Sequence, residues 1–186
     1  MKPPPLLQGR RPIMLALLSA ALAAASTAAE PAVPASTPTP SPVPCHRVAM
    51  DQYQCFIKNW DEKQNPVLCA VVRTPADFSV LFQPAPIGGT QRPFAPPSEF
   101  FTKEQILVVA RVMPAHSSPD GGFTLEKLTH QNNELALHYR FQPHTSNATF
   151  SVKNFLALRL PQHPYASITF YENGRKIKTL KTDQNN

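Results

Sequence analysis

Proline decides where this chain can build regular structure, because it lacks an amide hydrogen and fixes its own backbone angle. There are 22 prolines in 186 residues, and they are unevenly placed. Glu30 to Pro44 is nearly all Pro, Ala, Ser, Thr and Val, a mixture without core-forming side chains that favours extended polyproline II conformations and reads as a tether. From Gln83 to Pro97 five more prolines and the Gly88-Gly89 pair predict an irregular connection. Elsewhere Pro114, Pro161 and Pro164 fall at the ends of apolar runs, so long helices are excluded and short, interrupted strands are favoured.

Ahead of the tether, Lys2, Arg10 and Arg11 make a positive end with no acidic partner, followed by an almost wholly apolar stretch from Pro12 to Ala25. That stretch has the length of a signal-peptide core and falls short of the ~20 residues that a spanning helix needs. Either Ala23-Ala24-Ala25 or Thr27-Ala28-Ala29 offers small residues for cleavage, and a cut before Glu30 is favoured. The expected organisation is a signal peptide over 1–29, a tether over 30–44 and one domain over 45–186. The domain's ~140 residues suffice for an ordinary core. The expected location is outside the cytoplasm, periplasmic or extracellular, with no membrane span left after cleavage.

Without Lys2, Arg10 and Arg11 the formal charge falls from +6 to +3. The short Arg175-Lys176-Ile177-Lys178 run fits a solvated strand face, so nucleic acid is not expected as a partner. All three cysteines, Cys45, Cys55 and Cys69, lie in the exported part, where a disulfide is permitted. If the stretches around Cys55 and Cys69 form a hairpin about the polar loop Asn59 to Asn65, their thiols face each other. Cys55–Cys69 is then the favoured bridge over any pairing with Cys45, and closing that loop would contribute about 3 kcal/mol.

In the domain, Leu135, Leu137, Tyr139 and Phe141 alternate with Glu134, Ala136, His138 and Arg140, the period of a strand with one buried face. Ile106 to Met113 is apolar on both faces and rich in β-branched residues, as a central strand is. Phe155 to Leu160 and Ser167 to Tyr171 read as further strands. Asn173-Gly174 tolerates positive φ at both central turn positions and closes a hairpin onto Lys176 to Lys181. One short α-helix is expected near Pro75 to Phe82, capped by Thr74, with proline at its first position and Phe78, Leu81 and Phe82 as its apolar face. The fold class is therefore mainly β: an antiparallel β-sandwich or rolled sheet with one short helix.

Reactive signatures are missing. The six histidines have no helical i, i+3 or i, i+4 spacing, no Cys-x-x-Cys pair occurs, and neither a Gly-x-Ser-x-Gly elbow nor a Gly-rich phosphate loop is present. Asp77, Glu99 and Glu104 are carboxylates that folding can pair, though twelve acidic residues supply such pairs by chance. No catalytic residue, metal or cofactor is expected. The distinctive loop is Ser117-Ser118-Pro119-Asp120-Gly121-Gly122-Phe123, between two strong strands, where glycines bring backbone amides close to a partner.

The order of motifs over Thr74 to Lys181 resembles the PrcB-like C-terminal domain family, the protease-complex-stabilising subunit. The helix comes first, with Phe78 near the family's tryptophan. Phe101-Thr102-Lys103-Glu104 then precedes the apolar strand, Pro119 to Phe123 stands at a Pro-Thr-Gly-Gly-Tyr-like loop, and Pro164-Tyr165 comes late. Asp120 and Phe123 depart from the family's threonine and tyrosine, and the glycine after the apolar strand is missing around Val112 to Pro114. The resemblance implies an exported, non-catalytic protein that binds and stabilises or regulates a protease, with Ser118, Pro119, Asp120, Gly121, Gly122 and Phe123 as its contact. The alternatives are a small-ligand or envelope-component binding module using the sheet face, and a protease inhibitor acting through the same loop. The exported protein is predicted to begin at or near Glu30, and N-terminal sequencing that finds Met1 intact on it overturns the signal-peptide reading.

Overall fold

Two sheets share the chain between them, and the strand that reads as apolar on both faces lies inside one of them. The computed structural model describes residues 38–48, 55–84, 96–115 and 121–181. The expected signal peptide over 1–29 and the first part of the tether lie outside these residues. In chain order the elements are β1 (Ser41–Pro42), β2 (His46–Arg47), β3 (Cys55–Ile57), β4 (Leu68–Val72), α1 (Pro75–Leu81) and β5 (Phe82–Pro84), then a 3-10 turn over Ser98–Thr102. They continue with β6 (Glu104–Pro114), β7 (Phe123–Gln131), β8 (Glu134–Phe141), β9 (Ser151–Pro161), β10 (Ser167–Glu172) and β11 (Arg175–Lys181). One sheet has the order β1-β7-β8-β10-β11, the second β2-β9-β6-β4, and β3 with β5 makes a small third. The mainly β sandwich with one short helix is the fold expected. Its pairings are antiparallel except that β8 and β10 run parallel.

The four-stranded sheet is buried on both faces. Leu107 and Val109 of β6, with Leu156, Leu158 and Leu160 of β9, meet Leu135, Leu137, Ile168 and Phe170 of the five-stranded sheet. Alternate residues Ile106, Val108, Ala110, Phe155 and Ala157 face the other way, against Phe78, Leu81, Phe82, Trp60 and Phe101. Residues 106–110 are all at most 1% exposed, which is why the β6 sequence shows no polar alternation. β8 faces solvent on one side and does alternate: Leu135, Leu137 and Tyr139 are buried while Glu134 and Arg140 are exposed.

Helix α1 starts where its capping chemistry places it. The Thr74 hydroxyl accepts from the Asp77 amide at 3.0 Å, and the Asp77 carboxylate accepts from the Thr74 amide at 3.1 Å. Pro75 occupies the first turn, and the backbone turns extended at Phe82, two residues before Pro84. Phe82 then packs 5.0 Å from Phe78 and 5.5 Å from Phe155, fixing the helix over β9. The β10–β11 hairpin turns on Asn173 and Gly174 at φ 51° and 77°, as their pairing predicts, and Asn132-Asn133 does the same for β7–β8 at 49° and 62°.

Two expectations are corrected. The last part of the tether belongs to the fold: Ser41–Pro42 pairs with β7, and the Val43 amide donates to the Leu128 carbonyl at 2.9 Å. An edge strand tolerates proline because only one side of it needs donors. The Cys55–Cys69 bridge is absent as well. β3 pairs with β5 and β4 with β6, so the Asn59 to Asn65 loop does not join two strands of one hairpin, and Cys69 carries a free thiol.

Gly122 and Phe123 are where the sandwich closes at the start of β7. Phe123 is 0% exposed, with its ring 4.9 Å from Phe141 and 5.9 Å from Tyr139. Phe123→Ala should therefore lower stability by about 3 kcal/mol or more. Gly122→Ala should also destabilise, since its φ is 77° and a Cβ there would lie 2.5 Å from the Gln142 carbonyl oxygen. Denaturant unfolding of both variants checks this, and a Phe123→Ala midpoint equal to wild type would contradict it.

Candidate functional site

Of the loop residues singled out by sequence, Ser118, Pro119 and Asp120 lie outside the described residues, and the other three serve the fold. Gly121 and Gly122 take positive φ where the chain runs against Asn154 and Gln142. The Gly122 carbonyl accepts from the Gln142 amide at 2.9 Å, tying the start of β7 to the end of β8. Phe123, expected to project toward a partner, points into the core instead, because it is the first inward residue of its strand. Its carbonyl accepts from the Arg47 guanidinium at 3.0 Å.

Two sets of interior polar side chains are held by hydrogen bonds, one at each end of β6. Arg111 on β6 binds Glu172 on β10 through two guanidinium nitrogens, Nε at 3.1 Å from Oε2 and an Nη on Oε1. The Tyr139 hydroxyl on β8 donates to Glu172 Oε2 at 3.0 Å. This triad bridges the two sheets, and burial, followed by the Glu172 charge, pushes the Tyr139 hydroxyl far above its ordinary range. At the other end of β6, Gln105 is fully buried. It donates to the carbonyls of Pro161 and His163 at 3.1 and 3.2 Å and accepts from Arg73 Nε at 3.3 Å.

Of the carboxylates named from sequence, Glu99 and Glu104 line one hollow together with Lys103 and Arg159, while Asp77 lies apart from it. Asp77 caps α1, and Glu104 pairs with Arg159 at 2.7 Å. His130 and His163 do approach, with ring centroids 5.3 Å apart and Tyr165 against both. Among the described residues no group of three or more His, Cys, Asp or Glu is arranged to hold a metal ion. No described helix is long and apolar enough to cross a membrane.

Among the described residues, one surface left open is the outer face of the five-stranded sheet, where cross-strand register sets side chains in rows. One row runs Lys127, His138, Tyr171, Lys176 across β7, β8, β10 and β11. Its centre is a ring stack, His138 on Tyr171, with centroids 4.4 Å apart and planes 2° from parallel. The next row is small, Thr129, Ala136, Thr169 and Thr179, and the hydroxyls of Thr169 and Thr179 bond each other at 3.0 Å. Beside the taller row this leaves a groove of about 280 Å³ lined by Pro40, Lys127, Thr129, Glu134, His138 and Tyr171 among others. Desolvation, followed by the Lys127 charge, holds His138 below the usual imidazole range. No family model, no curated protein and no solved structure matches this chain.

The sheet face enters the sequence expectations only as the surface of an alternative binding module, with no residue assigned to it. The signal for His138 is its outward position in the Leu135, Leu137, Tyr139 alternation, but its partner Tyr171 follows only from the parallel β8–β10 pairing.

Cys69 supplies a pH test of the interior. It is 4% exposed, and burial pushes its thiol from 9.0 up to about 12. A raised thiol pKa favours the neutral form in the fold, so its contribution is intact below about pH 9 and is lost as pH rises toward 12. Burial also raises the Cys45 thiol, but it is half-buried, so at pH 9 it should alkylate slowly in the native protein while Cys69 reacts only on unfolding. Equal labelling of the two would contradict the buried placement.

Proposed function

We propose that this protein is an exported, non-catalytic binding module that associates with a protease and stabilises or regulates it, engaging its partner through the outer face of the five-stranded sheet. The observation that carries the binding reading is the His138–Tyr171 stack flanked by Lys127 and Lys176 on a face that no other described element covers. Stacked rings held by cross-strand register are already ordered, so a partner meets rigid amphipathic side chains and little rotamer freedom is lost on binding. Arg111, Glu172, Tyr139 and Gln105, by contrast, are committed to hydrogen bonds that hold the sheets together. The protease as partner class, and export itself, rest on the motif order over Thr74 to Lys181 and on the apolar segment Pro12 to Ala25. An inhibitor inserting Phe123 into a cleft fits less well, since that ring would have to leave the core.

A second reading is favoured by the groove itself. With hydroxyls on its floor and Lys127 and Glu134 on its walls, it suits a small polar ligand.

The test is capture from the organism's own cell envelope with the exported protein and a His138→Ala/Tyr171→Ala variant. Wild type should retain a protease and the variant should lose it at least thirtyfold, the effect of about 2 kcal/mol or more from aromatic anchors. Melting temperature should change little, because both side chains lie on the solvent side of the sheet. Retention of no protease sinks the partner assignment. A small molecule retained by wild type and lost by the variant, seen by native mass spectrometry, would favour the groove.

A further inference from the structure

We infer that β11 is a strand-acceptor edge that takes up an extended acidic segment of the partner protein, alternating acidic and apolar side chains. This deepens the binding-module reading and rests on it. β11 ends the five-stranded sheet and pairs with β10 alone among the described elements, so alternate amides and carbonyls along its seven residues face outward. The other edges offer less: β1 and β2 have two residues each, β3 and β5 three each, and β4 is half-buried or buried throughout.

Charge selects the occupant. Arg175, Lys176, Lys178 and Lys181 give β11 four positive charges and no negative one, and all four are exposed. A second copy pairing antiparallel about Lys178 would set Lys178 against Lys178 and Arg175 against Lys181, like charges directly opposite, which destabilise. The same lysines that deny the edge to its own kind favour a strand carrying Asp or Glu. Apolar positions complete the specification. On the inward side Ile177 and Leu180 pack on the inter-sheet core yet remain half-exposed, and Lys178, register partner of the buried Phe170, lies between them, so an added strand with apolar residues there would cover the two and the lysine's methylene stem. On the opposite side Lys176 and Lys181 share the outer face with Tyr171 and Ser167, their register partners, and there the added strand would carry its acids. Main-chain bonds would provide pairing, and the alternation would provide register.

The probe is a nine-residue peptide of alternating Glu and Val, blocked at both ends, titrated by fluorescence anisotropy into the full exported protein at low salt. Binding should slow amide exchange at alternate positions of Lys176 to Lys181. It should weaken at least tenfold when the central residue is proline, and at least tenfold in Lys176→Glu/Lys181→Glu. Lys176→Gln/Lys181→Gln should fall between, with an unchanged melting temperature in both variants. Equal binding of the proline peptide, unchanged exchange in β11, or no binding at millimolar peptide would overturn the proposal, as would self-association that protects β11. In envelope capture, a partner held equally by wild type and the charge-reversed protein would sink the strand-acceptor edge while leaving the binding-module reading standing. Failure to capture any partner would sink that reading instead.

Discussion

Burial of β6 on both faces is the constraint on which the rest of the architecture depends. A strand whose alternate side chains are all apolar needs cover on each side, and neither layer suffices alone. The five-stranded sheet takes Leu107 and Val109, while α1, the small β3–β5 sheet and the 3-10 turn take Ile106, Val108 and Ala110. β9 repeats the arrangement beside it, with Leu156 and Leu158 one way and Phe155 and Ala157 the other. The four-stranded sheet is thus a septum between two packed interiors, and a change of volume in it is felt in both.

Apolar packing on both faces leaves little to define how far β6 slides along its neighbours, and the polar groups at its two ends supply that. Gln105 binds the last residue of β9, the chain just beyond it and the arm before α1, and Arg111, six residues on, reaches the Glu172 carboxylate of the facing sheet. A slip of one residue would turn both to the wrong face and leave buried donors and acceptors unpaired, a cost of the order of 1–3 kcal/mol for each group. The same argument explains why Glu172, inward-facing at the end of β10, is tolerated: it accepts from Arg111 and from Tyr139.

Those parts of the fold governed by local chemistry were legible in the sequence. Thr74, Pro75 and Asp77 announce α1, Asn173-Gly174 announces its hairpin, and the contrast between the alternating Glu134 to Phe141 and the uniformly apolar Ile106 to Met113 separates a half-exposed strand from a buried one. Contacts between distant segments were not. Symmetry about Asn59 to Asn65 suggested a local hairpin, whereas β3 and β4 each pair with a strand beyond that loop. Phe123 follows a glycine turn and reads equally as a loop tip or as the first core residue of a strand, and only the facing sheet decides between them. The candidate surface shows the same divide: His138 lies outward by its alternation, while Tyr171 comes beside it because two strands far apart in sequence run parallel.

That parallel pairing also shapes how the domain must assemble. β8 and β10 are neighbours, yet the chain between them leaves their sheet, lays down β9 beside β6 and returns. β10 has no completed place beside β8 until this excursion is made, so the first sheet closes only through the second. Such long-range pairing raises contact order and slows folding, because the chain gives up loop entropy before the contacts that compensate it can form. For a chain delivered from its N-terminus, β6 to β8 emerge before either of their later neighbours, β9 and β10. Until those follow, one side of β6 and one side of β8 stand unpaired, an interval in which the chain is open to mispairing or to the help of a chaperone.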